Sequence, residues 1–312
     1  MAENNLNKGE ITTQQIVLLI ILIISFIVIL FLILRINLGG TTDSELCHNS
    51  VIMRANPVSK EAIPLKCSRT YVCLSKDGSC ESMTEPEVEK VRSKEEVYRV
   101  LAEEMADCWW MFGEGSIDYV GKDFFTKDNY CSICYQVGFD NSIKEIDGIG
   151  DSISKDDLYK YLADTKMPDK DITYAEYFFG TKDLERLKRT ALKTEDGESV
   201  GAATFGTIDL TKQHFVMTGI TSELSGKIWK IAAGVVTGVT VGIFTGGVGY
   251  GLIAGALLYG ASEVAPEVFQ PEITAIIVEG KGVDNTFMAP TIQEANSNSL
   301  KKLDCYDVVT SL

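Results

Sequence analysis

An uncharged stretch between Lys230 and Glu263 carries nine glycines, and four of them, Gly234, Gly238, Gly242 and Gly246, recur every four residues. Helical residues at that spacing share one face, and a face of glycines lets another helix press its backbone close. A second series, Gly247, Gly251 and Gly255, follows with the same period, and Gly-Gly-Val-Gly from 246 to 249 stands between the two as a turn. In a solvated helix each glycine costs about 1 kcal/mol relative to alanine, so close packing or lipid has to compensate. The pattern predicts a hairpin of two short glycine-faced helices, Ile228–Thr245 and Tyr250–Pro266. At 1.5 Å per residue each arm reaches roughly 25 Å, near the lower limit for crossing a bilayer. Such a hairpin either enters the membrane or packs as a buried pair inside the domain.

A second apolar run, Ile16–Leu34, is interrupted only by Ser25 and is long enough to span the hydrocarbon core. Arg35 and Ile36 follow it directly, where a cleaved secretory signal would offer small residues. The run reads as a retained transmembrane helix. Upstream, Lys8-Gly9-Glu10 precedes Ile-Thr-Thr-Gln-Gln and then the apolar run. This arrangement resembles the class III signal of archaeal type IV pilin-like proteins, and the resemblance implies cleavage between Gly9 and Glu10. Gln14 stands at the fifth mature position, where many pilins carry Glu. With the segments Asp107-Cys-Trp-Trp-Met-Phe-Gly113 and Tyr130-Cys-Ser-Ile-Cys134, the chain is also similar to uncharacterised membrane-anchored surface proteins of archaea with reduced genomes. That resemblance brings no activity with it.

All eight cysteines, Cys47, Cys67, Cys73, Cys80, Cys108, Cys131, Cys134 and Cys305, lie beyond the first apolar run. An even set on one side of an anchor reads as a disulfide framework in an oxidising, extracytoplasmic space. Eight cysteines allow 105 pairings. The Asp77-Gly78 turn favours a bridge between Cys73 and Cys80 across a hairpin. Tyr130–Phe139 alternates as a strand that turns Cys131 to the core and Cys134 outward, so the two bond to different partners. Cys108, on the apolar stripe of a helix, is then the natural partner of Cys131. The Cys-x-x-Cys spacing at 131 and 134 also permits a redox pair or half a zinc site, but the run is strand-like and the only histidines are His48 and His214. If Cys305 pairs with an earlier cysteine, the glycine region crosses the membrane twice or not at all.

The domain organisation follows as 1–15 leader or cytoplasmic segment, 16–34 transmembrane helix, 40–92 loop-rich disulfide lobe, 93–227 α+β ectodomain, 228–266 glycine-rich apolar hairpin and 267–312 C-terminal strands returning to the ectodomain. Ser93 and Glu96 form a capping box for a helix whose Val97, Val100, Leu101, Met105, Cys108, Trp109 and Phe112 share a face, with Gly113 and Gly115 ending it. Ser154 caps a shorter helix, and Lys182–Lys193 is a charged helical stretch. Thr204–Leu210 and His214–Thr221 read as a β-hairpin, Ile273–Glu279 and Cys305–Thr310 as strands, and Asn296–Ser299 as a polar loop.

The formal charge of −15 disfavours nucleic acid and anionic lipid surfaces as partners. Asp147, Asp151, Asp156, Asp157, Asp169 and Asp171 could bind calcium, but they lack EF-hand order and read as solvated carboxylates. Neither a phosphate-cradling Gly-x-x-x-x-Gly-Lys-Ser/Thr loop nor a Gly-x-Ser-x-Gly elbow occurs, and Cys47 next to His48 is a poor nucleophile and base pair. The sequence therefore predicts a non-enzymatic, cofactor-free α+β surface protein with an N-terminal transmembrane helix, a disulfide-stapled ectodomain and a glycine-zipper helical hairpin. Its partners would be the membrane and, through the zipper, copies of itself. Pore formation and thiol-disulfide exchange are the competing functions.

Overall fold

The computed structural model describes residues 13–37, 42–56, 63–81, 83–120, 129–191, 204–221, 253–259, 272–283, 285–303 and 305–310. The chain divides into two units, Met1–Thr42 and Asp43–Leu312. In the first, helix α1 covers Thr13–Asn37. Its described side chains, Gln14 to Ile29, are all exposed. Among the described residues, no helix is long and apolar enough to cross a membrane.

The second unit is α+β. Helix α2 (Asp43–Arg54) opens it, followed by β1 (Thr70–Ser75) and β2 (Glu87–Lys90). The lobe expected to be loop-rich therefore begins with a helix. Asp43 and Glu45 in the first turn and Arg54 in the last suit its dipole. Helix α3 (Lys94–Met111) is capped by Ser93, whose side chain accepts from the Glu96 amide. The Glu96 carboxylate answers one residue upstream of the cap, accepting from the Arg92 amide at 2.7 Å. The six predicted core positions from Val97 to Trp109 on α3 are all buried, as is Phe112 beyond it. Then come β3 (Asn129–Phe139), β4 (Ser152–Ser154), α4 (Lys155–Asp164), α5 (Tyr174–Phe179) and α6 (Leu184–Ala191). The chain continues through β5 (Thr207–Asp209), β6 (His214–Thr221), β7 (Ile253–Tyr259), β8 (Glu272–Glu279), β9 (Thr286–Glu294), α7 (Ser297–Lys302) and β10 (Cys305–Val308).

Among the described residues, eight strands form one mixed sheet in the order β2-β1-β3-β6-β9-β8-β7, with β10 also paired to β3. The β1–β2, β1–β3 and β3–β10 pairs are parallel, and the others are antiparallel. One face packs under α3, α4 and α5 in the main core; the other holds Cys131, Ile133, Phe215, Met217, Ala275, Ile277 and Met288, against which Leu300 of α7 and Val308 pack. The late strands thus join the early ones, as a glycine-rich insertion into one domain requires.

Several local expectations change. Thr207–Asp209 and His214–Thr221 are strands but not a hairpin: β5 pairs with β4 in a separate two-stranded sheet, while β6 pairs with β3 and β9. Asn296 caps helix α7 through its side chain instead of sitting in a loop. Cys73 and Cys80 are bridged, yet the strand after the turn, β2, runs parallel to β1, so this is no hairpin.

The largest correction concerns the second glycine arm. Ile253–Tyr259 is strand β7, paired antiparallel with β8, and Gly255 sits in it opposite Ile277. With Ile253 already in the sheet, a turn at Gly246–Gly249 leaves only Tyr250 to Leu252 for the return arm, too few for a helix. Two matched helical arms turning there are excluded. Gly234, Gly238, Gly242, Gly246, Gly247 and Gly251, with the first arm, lie outside the described residues.

Candidate functional site

Every cysteine of the chain is in a disulfide: Cys47–Cys67, Cys73–Cys80, Cys108–Cys134 and Cys131–Cys305. This framework marks an extracytoplasmic domain. The predicted Cys108–Cys131 bridge does not form, and the reason is a β-bulge. The pairing of β3 with β6 slips between Ile133 and Tyr135, inserting one extra residue at Cys134. Before it, Cys131 and Ile133 face the second cluster; after it, Cys134, Tyr135, Val137 and Phe139 all belong to the main core under α3. Cys134 therefore meets Cys108, and Cys131 meets Cys305 on the opposite face. A redox role would need Cys131 and Cys134 bonded to each other, which is not their arrangement.

The same sheet fixes where the glycine segment departs. Ile220 of β6 lies opposite Phe287 of β9, Phe287 opposite Val278 of β8, and Val278 opposite Ile253 of β7. This row crosses four strands, so Thr221 and Ile253, the last and first residues flanking 222–252, stand at the same end of the sheet. Three strand spacings separate them, about 14 Å. The Cys131–Cys305 bridge and the β3–β10 pair tie the tail to the same body. Whatever residues 222–252 do, they leave and return on one side.

That end of the sheet is braced by an unusual corner. After α3, Gly113, Glu114 and Gly115 all adopt positive φ, at +79°, +55° and +70°. Glutamate in this conformation costs about 1–2 kcal/mol, so its contacts have to hold it. Its amide donates to the Trp109 carbonyl at 2.9 Å. Its Oε1 accepts from the Tyr177 hydroxyl at 2.7 Å and from Lys170 Nζ at 3.1 Å. Burial pushes the carboxyl pKa up, but the Tyr177 and Lys170 hydrogen bonds and the Lys281 charge outweigh it, and the value falls below that of an ordinary glutamate. The Lys281 amide donates to the Gly115 carbonyl at 2.8 Å, binding the corner to the β8–β9 turn. In that turn Asn285 Nδ2 donates to the Thr221 carbonyl at 2.8 Å. Trp109 meets Phe287 edge-on, centroids 6.3 Å apart. The small cleft between Trp109, Gly115, Tyr177, Gly180, Val278 and Lys281 has room for about one water. Trp109 Nε1 is buried without an acceptor among the described residues.

A second polar cluster joins α2, α3 and β3. Ser44 Oγ donates to Asp107 Oδ2 at 2.7 Å, and the Tyr135 hydroxyl donates to the same oxygen. Glu104, one turn away, is pushed up to about 8 by burial and then by the Asp107 charge. His48 stacks on Trp110 with centroids 3.9 Å apart, and its Nδ1 lies 2.7 Å from the Trp110 carbonyl. With Cys47 in a disulfide, the Cys47 and His48 pair holds no free nucleophile. His214 is buried, with Phe139 edge-on to its ring. Of the candidate calcium acids, Asp151, Asp156, Asp157 and Asp171 pair with Lys144, Lys188, Lys94 and Lys166. Among the described residues no group of three or more Asp, Glu, His or Cys is placed to hold a metal.

The corner was not foreseen from sequence. Gly113 and Gly115 read as a helix stop, and nothing in a single glutamate between them signals a left-handed residue held by distant Tyr177 and Lys170. The assembled features define a disulfide-stapled α+β domain in which the residues flanking the 31-residue segment 222–252 stand at one end of the sheet. No protein-family model, curated protein or solved structure matches the chain.

Proposed function

We propose that this is a non-enzymatic, membrane-anchored surface protein whose disulfide-stapled domain holds an apolar, glycine-rich excursion at one end of its sheet, for insertion into a membrane or for assembly with other copies. The strand row Ile220, Phe287, Val278 and Ile253 carries the reading, because it fixes both stems of 222–252 at one end of the sheet. The anchor is the apolar run Ile16–Leu34, which includes the exposed face of α1 and continues beyond its described side chains to roughly 28 Å of helix. Half of a 31-residue excursion spans at most about 23 Å as a helix, short of the roughly 30 Å core. A helical path through 222–252 is therefore too short to cross a bilayer twice and would suit entry from one side only. The Lys8-Gly9-Glu10 segment fits leader removal ahead of Glu10, which intact-mass measurement of the purified protein tests.

The uncharged run with glycines every four residues favours a second reading, membrane permeabilisation by oligomers packed through Gly234, Gly238, Gly242 and Gly246. Dye leakage from liposomes separates the two. A pore former leaks dye and loses that activity on Gly238→Leu with Gly242→Leu, whereas a display or assembly protein causes no leakage at any concentration. Protease accessibility of 228–312 in intact membranes tests the shared premise. Cleavage from the cytoplasmic side would refute both readings.

A further inference from the structure

We infer that one ordered water is built into the cleft between the Glu114 corner, α5 and β8, held there by the indole Nε1 of Trp109. Trp109 lies on the buried stripe of α3 and is 1% exposed. Its ring is fixed from two directions. Phe287 meets it edge-on, and a Cβ at Gly115 would lie 2.9 Å from Cζ2 and 3.1 Å from Cη2. Cζ2 and Nε1 are bonded to the same ring carbon, so the edge that carries the N–H is turned to Gly115, and Gly115 lines the cleft with Trp109. Nε1 nevertheless meets no acceptor among the described residues. An indole N–H taken out of water without a partner loses its hydration uncompensated, which is why buried tryptophans place this group on an acceptor.

The lining decides what that acceptor is. Space for about one water admits no organic ligand. Glu114, Glu176 and Glu279 on the lining oppose an anion, and a group that must accept from an N–H beside Lys281 is not a cation. A neutral acceptor of a single heavy atom remains, and water is that acceptor. A buried water needs about two to four polar partners. Beyond Nε1, the lining offers the Glu114 carboxylate, whose Oε1 accepts from Tyr177 and Lys170 and which keeps lone pairs for a further donor. It also offers the last carbonyls of α5, at Tyr177, Phe178 and Phe179, which no further helical turn satisfies. The water accepts from Trp109 and donates across the cleft to these groups, joining α3 to α5 where Glu114 is held at positive φ. With the Lys281 amide on the Gly115 carbonyl, it completes the brace at this end of the sheet.

The chain has three tryptophans, so isotope labelling of the indole nitrogens in the full chain, in detergent micelles, gives three side-chain signals. Trp110→Phe and Trp229→Phe each remove one and so identify that of Trp109. Water-selective NOE and ROE spectra should show cross-peaks of opposite sign at the Trp109 Hε1, the pattern of a tightly held water. Cross-peaks of equal sign mark proton exchange with bulk solvent, and either that result or no water cross-peak overturns the inference. Val278→Ile tests the place as well as the water, because it adds a methylene to the cleft wall. The cross-peak should fall by about twofold or more, since the remaining space is too small for water. A cross-peak as strong as the parent's overturns the assignment to this cleft. Should the variant fail to fold, the signs in the parent decide alone.

Discussion

Removing disulfides one at a time measures how long a loop of chain each bridge closes. The chain-entropy relation gives about 5 kcal/mol for Cys131–Cys305, which closes 174 residues, and about 2.5 kcal/mol for Cys73–Cys80, which closes 7. The two bridges are otherwise well matched. Cys131 and Cys73 are fully buried, while Cys305 and Cys80 are both partly exposed, so the packing losses on truncation are similar. The double variants Cys131→Ala with Cys305→Ala and Cys73→Ala with Cys80→Ala should therefore differ by about 2–3 kcal/mol, the long-range pair being the worse. Cys108–Cys134, which closes 26 residues, should fall between them at about 3.5 kcal/mol. Urea unfolding of the full chain in detergent micelles, followed by far-ultraviolet circular dichroism without reductant, reads these differences. Equal costs for the 7-residue and 174-residue bridges, or the reverse order, would refute the assignment of Cys305 to Cys131 and the joining of the tail to β3.

Three further outcomes follow from the polar clusters and the corner. Glu104 holds its proton to about pH 8 in the folded chain and to about 4.5 unfolded, so its contribution is fully present below pH 4.5 and is lost as pH rises through 8. Glu104→Gln should gain about 1–2 kcal/mol on the wild type between pH 5 and 9, allowing for solvent screening; parallel pH profiles would contradict the burial of this carboxyl. His214 is lowered to about 4, mainly by burial and then by the Lys155 charge. Its stabilising contribution is present above about pH 6.5 and is lost as pH falls through 4, by up to about 3 kcal/mol, and His214→Gln should flatten that acid limb in thermal melts. Gly115→Ala introduces a side chain at φ +70° whose Cβ would lie 2.9 Å from the Trp109 ring, so a loss of about 2–3 kcal/mol is expected in urea unfolding. An unchanged midpoint would show that the corner relaxes without cost.

Elements set by local physics were readable from the sequence. Ser93 and Ser154 announced the starts of α3 and α4 because an N-cap acts within three residues. The stripe from Val97 to Trp109 gave the buried face of α3 because helical periodicity needs no knowledge of the partner. Pairing was not legible. The bulge at Cys134 depends on register against β6, eighty residues away, and it reverses which cysteine faces α3. The hairpin expected of β5 and β6 failed for a similar reason, since adjacency in sequence competes with a better partner across the sheet. In Ile253–Tyr259, helical glycine spacing misled because Ile253, Leu257, Leu258 and Tyr259 at an edge satisfy a strand equally well when β8 is available. At the corner, the left-handed Glu114 is held by Tyr177 and Lys170, contacts that no local pattern encodes.

Sidedness of the tail tests the central claim most directly. In intact cells or sealed right-side-out vesicles, a membrane-impermeant reductant followed by an impermeant maleimide should label the partly exposed Cys305, identified by peptide mapping, without permeabilisation. Labelling of Cys305 only after the membrane is opened, or a Cys305 thiol already reduced beforehand, would contradict a fold in which both ends of the glycine-rich excursion return to one extracytoplasmic sheet.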